Sequence, residues 1–191
     1  MVHVPASPAL EGRDTLTVSA WIRYDSIGAD AGSQIVWHGD ANPGRDPWQL
    51  HLLPTGSLEF RSDRSVSGRP VFTVLEEEIY RAPQGHFTFA QHVAVESPHP
   101  LEPAKWYFVA GTIEKDSGRM SILRLFINGE PVSEVRTDER VNYDTAKMWT
   151  EIGAADGGSS QHFDGDIDEV RIYARALSAA EIKGLYSQPW K

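Results

Sequence analysis

Residues 163–186, FDGDIDEVRIYARALSAAEIKGLY, constrain the fold most, because a strand pattern runs directly into a capped helix pattern. Ser178 and Glu181 form a capping box, in which each side chain satisfies a backbone N–H at a helix start. Leu177 and Ile182 fit a hydrophobic staple across that start. Because so short a helix is not stable alone, it must pack on a sheet.

The strand half of this stretch changes its apolar phase. Phe163 and Ile167 share one face of an alternating strand, whereas Val170 lies on the other. A slip of one residue moves every later side chain to the opposite face. We therefore predict a β-bulge near Asp168 and Glu169, which would redirect two carboxylates.

Alternation of apolar and polar residues predicts further strands upstream. They cover residues 15–22, 34–38, 48–53, 57–61, 71–75, 87–95, 106–113, 123–127, 132–136 and 151–154. Asn128 and Gly129 predict a type I′ hairpin turn, since both tolerate positive φ. About a dozen strands and one C-terminal helix predict an all-β, two-sheet antiparallel sandwich.

Length and composition exclude several classes of protein. With 191 residues, 40% apolar and 24% charged, the chain is predicted to form one domain over 1–191. The segment around 62–103 is predicted to be an elaboration of it. A net charge of -9 without a basic cluster argues against nucleic acid. The absence of cysteine excludes disulfides and thiolate metal sites. The sequence shows neither a membrane span nor a signal peptide before Val2.

Four stretches, in order, resemble the laminin-G-like jelly-roll domains of the concanavalin A-like lectin/glucanase superfamily. Residues 2–10 (VHVPASPAL) resemble the opening strand and 15–22 (TLTVSAWI) the second strand. Residues 105–129 resemble the central hairpin, and 165–186 the C-terminal signature. The resemblance implies a jelly-roll sandwich and an extracellular, periplasmic or cell-surface location. Because the opening strand begins almost at residue 1, we expect the chain to be part of a larger polypeptide.

An acidic cluster in the last strand suggests two kinds of site. Glycanases of this superfamily carry a Glu-x-Asp-x-x-Glu strand, but here Asp166 replaces the first glutamate and Arg171 stands where the second would be. That catalytic motif is therefore not present. Relatives also bind one calcium ion, for which the resemblance implies Asp166 and Asp168 as ligands. The alternative is that Asp168 bonds to backbone at the bulge and Glu169 pairs with an arginine.

The best sugar-site candidate is the loop around residues 37–48. Sugars present apolar ring faces and hydroxyl groups, so they need an aromatic platform beside hydrogen-bonding side chains. Both are present in Trp37, His38, Asp40, Asn42, Arg45, Asp46 and Trp48. The alternative is that the two tryptophans, which lie at strand positions, belong to the core.

These observations predict a non-catalytic binding module, lectin-like in function, whose partner is a glycan or polysaccharide. A protein–protein adhesion module is the first alternative and would expose a contiguous apolar patch. The second is a glycan hydrolase or lyase with a carboxylate pair from different strands. Candidate residues for that chemistry are His51, Glu59, Arg61 and Glu96.

Overall fold

The computed structural model describes residues 1–7, 10, 15–29, 32–40, 46–63, 65–66, 69–70, 72–74, 88–90, 92–115, 120–138 and 148–188. For the described residues between 65 and 90, the structure gives the backbone only. In chain order, the elements are β1 (Val2–Val4), β2 (Leu16–Ser26), β3 (Ser33–Gly39), β4 (Trp48–Leu52), β5 (Leu58–Asp63), β6 (Ser65–Val66), β7 (Arg69–Pro70), β8 (Phe72–Val74), β9 (Thr88–Ala90), β10 (His92–Glu96), β11 (Tyr107–Lys115), β12 (Ser121–Ile127), β13 (Glu130–Thr137), β14 (Trp149–Ile152), β15 (Asp164–Tyr173) and the helix α1 (Ala179–Tyr186).

Two antiparallel sheets form the body of the molecule, as the sequence pattern predicts. The six-stranded sheet has the order β1-β14-β3-β4-β5-β10, and the five-stranded sheet has the order β13-β12-β11-β2-β15. Two small hairpins, β6-β7 and β8-β9, lie within the segment predicted to be an elaboration. The architecture is a jelly-roll sandwich with one short helix. No helix among the described residues has the length and apolarity to cross a membrane.

The main hydrophobic core lies between the two sheets. On the six-stranded sheet, Val36, Leu50, Phe60 and Val95 are successive cross-strand partners that form one inward row. All four are buried in a cluster that also contains residues of the five-stranded sheet such as Leu125. Strand alternation then requires that the residues between these core positions point away from the core.

Helix α1 covers the outer side of the five-stranded sheet. Ser178 and Glu181 make both bonds of the predicted capping box. Leu177 and Ile182, the predicted staple, are buried in a second cluster with residues of the central strand such as Phe108. The helix therefore gains its stability from packing on the sheet, as its short length requires.

Local backbone features confirm two predictions. The pairing of β15 with β2 shifts between Asp168 and Arg171, where Glu169 has a φ of 50°, so the predicted bulge is present. Asn128 and Gly129 have φ values of 51° and 81°, which fit the predicted hairpin turn.

Several strand boundaries differ from prediction, most of all in the opening strand and in the strand predicted over 87–95. The opening strand, predicted over 2–10, ends at Val4, and the next residue, Pro5, has no N–H to donate to a partner strand. The strand predicted over 87–95 is two strands, because β9 pairs with β8 whereas β10 pairs with β5. The chain therefore passes from a small hairpin to the edge of the six-stranded sheet within this stretch.

Candidate functional site on the six-stranded sheet

The candidate site is the face of the six-stranded sheet that points away from the core, which we call the outer face. Strand pairing places two adjacent rows of side chains on it. One row contains Glu151, Trp37, Gln49, Arg61 and Ala94. The next contains Gln34, His51, Glu59 and Glu96.

Most polar side chains of the outer face are buried. Gln34, Gln49, His51, Glu59 and Glu151 are each at most 8% exposed. Burial of a polar group costs free energy unless a partner replaces water. A buried sheet face that served packing alone would carry apolar side chains. Buried polar side chains on this face therefore indicate a role other than packing.

Three charged or titratable side chains meet at the centre of the outer face. His51 Nε2 lies 3.3 Å from Glu59 Oε1, and Arg61 Nη1 lies 3.7 Å from the same oxygen. Burial lowers the pKa of His51, so the imidazole is neutral. Burial alone would raise the pKa of Glu59, but the contact with His51 and the charge of Arg61 bring it below its ordinary value. The carboxylate is therefore ionised.

Several hydrogen-bonding atoms of this face have no partner. In the described part of the chain, Gln34 Oε1, His51 Nδ1, Glu59 Oε1 and Arg61 Nε are buried and make no hydrogen bond. Such atoms are few in folded proteins, and each costs about 1–3 kcal/mol. The cluster thus contains both hydrogen-bond donors and acceptors that no group of the protein uses.

The glutamines connect this centre to the neighbouring loops. Gln34 Nε2 donates to Gln49 Oε1 at 2.6 Å and to Gln161 Oε1 at 2.7 Å. Gln49 Nε2 in turn donates to Asp46 Oδ2 at 3.4 Å. The polar network therefore continues from the strands into the loop before β4.

Asp46 and Asp63 are joined by two hydrogen bonds that involve their backbone groups, beside Arg61. Asp46 N donates to Asp63 Oδ2 at 3.0 Å, and Asp63 N donates to the carbonyl oxygen of Asp46 at 3.1 Å. Burial, and then the charge of Asp63, raise the pKa of Asp46 to about 7. Burial also raises the pKa of Asp63. Asp46 therefore changes its charge close to neutral pH.

At the other end of the outer face, Glu151 organises a loop and a tryptophan. Its carboxylate accepts bonds from Trp149 Nε1 at 3.1 Å and from the amides of Gly157 at 3.1 Å and Gly158 at 3.3 Å. The Trp149 ring is half-buried, with its centroid 5.8 Å from that of Trp37. Among the described tryptophans of this face, Trp149 is the one with ring surface open to solvent.

Trp149 is not among the site residues predicted from the sequence. The predicted strand began at residue 151, so Trp149 was outside it. Trp149 and Glu151 share one phase of β14, and this pairing of an aromatic ring with a carboxylate two residues later was the available signal.

The structure buries the aromatic part of the predicted sugar-binding loop. Trp37 lies on the outer face, but it is buried against Trp149 and Asp46. Trp48 lies on the inner face and stacks on His38 with ring centroids 5.1 Å apart. Burial lowers the pKa of His38 to about 4, and its Nδ1 is 2.9 Å from Thr150 Oγ1. All three rings are buried, although Trp37 lies outside both core clusters, and ligand binding by Trp37, His38 and Trp48 stays a prediction.

The structure describes some of the polar residues of that predicted sugar-binding loop and not others. Asp40 and Asp46 are half-buried, and Asp46 joins the outer-face network. Asn42 and Arg45 lie outside the described residues. Ligand binding by Asp40, Arg45 and Asp46 stays a prediction.

The predicted calcium ligands have protein partners. Asp166 Oδ2 accepts bonds from Arg23 Nε at 2.9 Å and Nη2 at 2.6 Å. Asp168 Oδ1 accepts the amide of Glu169 at 2.7 Å, and Glu169 pairs with Arg171, as the alternative expected. In the described ranges, no group of three or more His, Asp or Glu side chains is placed to hold a metal ion. Asp166 is therefore paired with an arginine, and Asp168 is bonded to the backbone of the bulge.

The calcium assignment stays a prediction that thermal unfolding tests. Calcium that bound only the folded state would raise the unfolding midpoint relative to chelator. That rise would have to disappear in Asp168→Asn. An unchanged midpoint would count against the assignment.

A concave region lies on the five-stranded sheet beside the start of α1. It has a volume of about 640 Å³ and is lined by residues of β11, β12, β13 and the helix start. Its charged side chains are paired: Arg124 contacts Glu134 at 2.6 Å, and Glu181 contacts the neighbouring Arg175 at 2.6 Å. Because these partners satisfy each other, this groove offers less to a polar ligand than the outer face does.

Comparison with known proteins supports a fold-level relationship. The family model described as the concanavalin A-like lectin/glucanases superfamily, Laminin_G_3, matches residues 2–183. A search of curated proteins finds no match.

Several solved structures share the fold at low identity. The CBM40 domain of the Ruminococcus gnavus IT-sialidase, bound to α2,3-sialyllactose, has a TM-score of 0.64 and 14% identity, with 98% of this chain and 95% of that chain covered. A pentraxin from Limulus polyphemus has a TM-score of 0.61 and 15% identity, covering 97% and 75%. Domain 4 of a GH43 extracellular arabinanase from Geobacillus stearothermophilus, in complex with arabinotriose, has a TM-score of 0.59 and 15% identity, covering 97% and 71%. At these identities the likeness establishes the fold alone.

Proposed function

The chain belongs to the laminin-G-like family of the concanavalin A-like lectin/glucanase superfamily, and from that premise we propose that it is a non-catalytic carbohydrate-binding module. Two solved structures of the same fold hold sugars, sialyllactose in one and arabinotriose in the other. Those ligands belong to those proteins. For this chain, the support comes from the chemistry of its own outer face.

The observation that carries the proposal is the buried polar network with unmet hydrogen-bonding atoms. Gln34, His51 and Arg61 each keep one buried polar atom without a partner. Sugar hydroxyls donate and accept hydrogen bonds, so they can satisfy such atoms when the groups that cover them move aside. The partly open ring of Trp149 adds an apolar surface for the CH face of a sugar. Donors, acceptors and an aromatic ring thus occur together on one sheet face.

The adhesion alternative has less support. It requires a contiguous exposed apolar patch. The exposed large apolar side chains among the described residues are Met1, Val2 and Tyr186. Met1 and Val2 lie at one end of the six-stranded sheet, whereas Tyr186 lies on α1 over the other sheet. They do not form one surface.

Hydrolysis is a second candidate because the structure brings together three of the residues proposed for it. His51, Glu59 and Arg61 are in contact, and Glu59 lies opposite Glu96 across β5 and β10. A glycan hydrolase needs one carboxyl group that keeps its proton to act as an acid. The lowered pKa of Glu59 suits an acceptor rather than an acid. Asp46, whose pKa is about 7, keeps a proton near neutral pH, but its partners are Gln49 and Asp63 rather than Glu59. We therefore favour binding without cleavage.

The purified protein on a glycan and polysaccharide array tests the proposal. We expect concentration-dependent binding to at least one defined glycan, with no release of reducing ends from it. Absence of binding across the array, with calcium and with chelator, would overturn the carbohydrate function. Release of reducing ends would show instead that the protein is a glycan-cleaving enzyme.

We place the protein outside the cytoplasm, as one part of a larger polypeptide. The support is by likeness, since domain 4 of the arabinanase belongs to an extracellular enzyme of several domains. Fractionation of the source cells with an antibody to this domain tests both points. Recovery from the cytoplasm alone, at about 21.2 kDa, would contradict them.

A further inference from the structure

The charge balance of the outer face points to the class of sugar that it binds. Among its described strand residues, the carboxylates are Glu59, Asp63, Glu96 and Glu151, and the single permanent cation is Arg61. Arg61 lies 3.7 Å from Glu59, and Asp63 follows it by two residues on the same face. The positive charge that could attract an acidic sugar is thus already compensated within the protein.

The positions of the protons at the centre of the outer face favour a ligand that donates hydrogen bonds. His51 is neutral and its Nε2 lies 3.3 Å from the ionised Glu59, so we assign the ring proton to Nε2, the nitrogen that faces the carboxylate. His51 Nδ1 then carries a lone pair and is an acceptor. Gln34, the direct cross-strand partner of His51, has its unpartnered atom, Oε1, as a second acceptor. Two adjacent acceptors match hydroxyl groups and repel carboxylates.

We propose that the outer face selects neutral, hydroxyl-rich glycans over glycans that carry carboxylates, and that Glu59 sets this selectivity by holding Arg61. This inference rests on the proposed carbohydrate function. Charge discrimination of this kind acts mainly by rejection of the wrong partner, because an anion brought to this face meets more carboxylates, Glu59 and Asp63, than the single cation Arg61 offsets.

Binding to matched pairs of neutral and acidic glycans tests the proposal. The pairs are lactose with sialyllactose and methyl-esterified polygalacturonate with polygalacturonate, beside neutral arabinan, xylan, mannan and β-glucan. We expect the wild-type protein to bind its best neutral glycan at least about tenfold more tightly than any carboxylated one, since about 1.4 kcal/mol of repulsion suffices for that ratio. Equal or tighter binding to a carboxylated glycan would overturn this inference and leave the carbohydrate function intact. Binding to none would overturn both.

The variant Glu59→Gln releases Arg61 from its partner. We expect it to bind carboxylated glycans at least about tenfold more tightly than the wild type does. Glu114→Gln is the matched control, because Glu114 pairs with an arginine of equal exposure on the five-stranded sheet. It should keep the wild-type preference. Unchanged selectivity in a folded Glu59→Gln protein would contradict the role of Glu59.

A salt titration of the wild-type protein provides a test that needs no variant. Salt screens the repulsion between the outer face and an acidic glycan, so that binding should strengthen between 20 mM and 500 mM NaCl. Binding to the neutral glycan should stay constant within a factor of about two. Acidic binding that weakens with salt would reveal attraction and contradict the proposal.

Discussion

At the residue scale, the outer face is defined by carboxylates whose environments differ. Glu59 stays ionised because His51 and Arg61 face it, whereas burial and the nearby charge of Asp63 favour the neutral form of Asp46. Two acidic groups on adjoining parts of one sheet therefore carry different charges near neutral pH. The charge that a ligand meets there depends on pH through Asp46.

Asp46→Asn should stabilise the protein at high pH but not at low pH. The native pKa of Asp46 is about 7, against an ordinary value of 3.8. Between these values the native state keeps a proton that the unfolded state loses, so wild-type stability falls as pH rises through that window. Asparagine removes the titration. We expect a gain of about 1 kcal/mol or more at pH 8 and little difference at pH 4.

Urea unfolding at both pH values measures this effect. Asp25→Asn, which removes an exposed carboxylate paired with Arg23, is the control and should give no gain in stability at pH 8. A stability difference for Asp46→Asn that is the same at pH 4 and pH 8 would refute the shifted pKa.

The sequence predicted residue-level features that depend on neighbours in the chain. The capping box, the staple and the Asn128-Gly129 turn are set within a few residues, so the pattern alone identifies them. The pattern did not reveal whether the Trp37 side chain is buried or exposed. A register shift between Gln34 and Val36 places Trp37 on the outer face, and its burial there depends on contacts with Trp149 and Asp46. Alternation fixes which residues share a face, but not what covers that face.

At the element scale, α1 shows how a marginal segment is stabilised. Its start is held by Ser178 and Glu181, whose carboxylate also pairs with Arg175. That ion pair, followed by the bonds from Ser178, lowers the pKa of Glu181 to about 2. The apolar side of the helix covers Phe108, so loss of the cap loosens the cover of the five-stranded sheet.

Ser178→Ala should destabilise the protein by about 1 kcal/mol, because it removes the acceptor for the backbone N–H of Glu181. Urea unfolding measures the loss. Ser187→Ala, at the other end of the helix, is the control and should cost less, since its hydroxyl donates to an exposed carbonyl group. Equal effects of the two changes would show that the capping box does not stabilise α1.

Elements were more predictable than the way they combine. Most strands occur where alternation placed them, and the switch of apolar phase located the bulge in β15. The order of the strands within each sheet could not be predicted in this way. For example, β14 pairs with β3 across more than a hundred residues of sequence, and no local pattern encodes that pairing. The outer face gathers residues from five such strands, so the sequence supplied His51, Glu59, Arg61 and Glu96 only as separate candidates.

At the scale of the whole molecule, the two sheets meet through close contacts in the core. Gly111, at the centre of the five-stranded sheet, faces Phe60 of the six-stranded sheet. A Cβ at Gly111 would lie 2.4 Å from the Phe60 ring. Side chain and backbone would both have to move, which in packed cores costs about 1–3 kcal/mol.

Gly111→Ala should therefore destabilise the protein by about 1–3 kcal/mol in denaturant unfolding. Gly184→Ala is the matched control, because a Cβ there meets no atom within 4 Å. Since Gly184 lies inside α1, alanine should stabilise that position by about 0.5–1 kcal/mol. Opposite signs for the two substitutions are the expected result, and a neutral Gly111→Ala would contradict the close contact between the sheets.

The measurement that tests the central claim most directly is the affinity of paired arginine variants for the glycan that the array identifies. Arg61 on the outer face and Arg124 on the five-stranded sheet are both 26% exposed and both pair with glutamate. We expect Arg61→Ala to weaken binding by about tenfold or more and Arg124→Ala to leave it unchanged, since loss of one polar contact to a sugar corresponds to about 1.4 kcal/mol. Equal affinities for the two variants, with both proteins folded, would contradict the assignment of the outer face as the carbohydrate site.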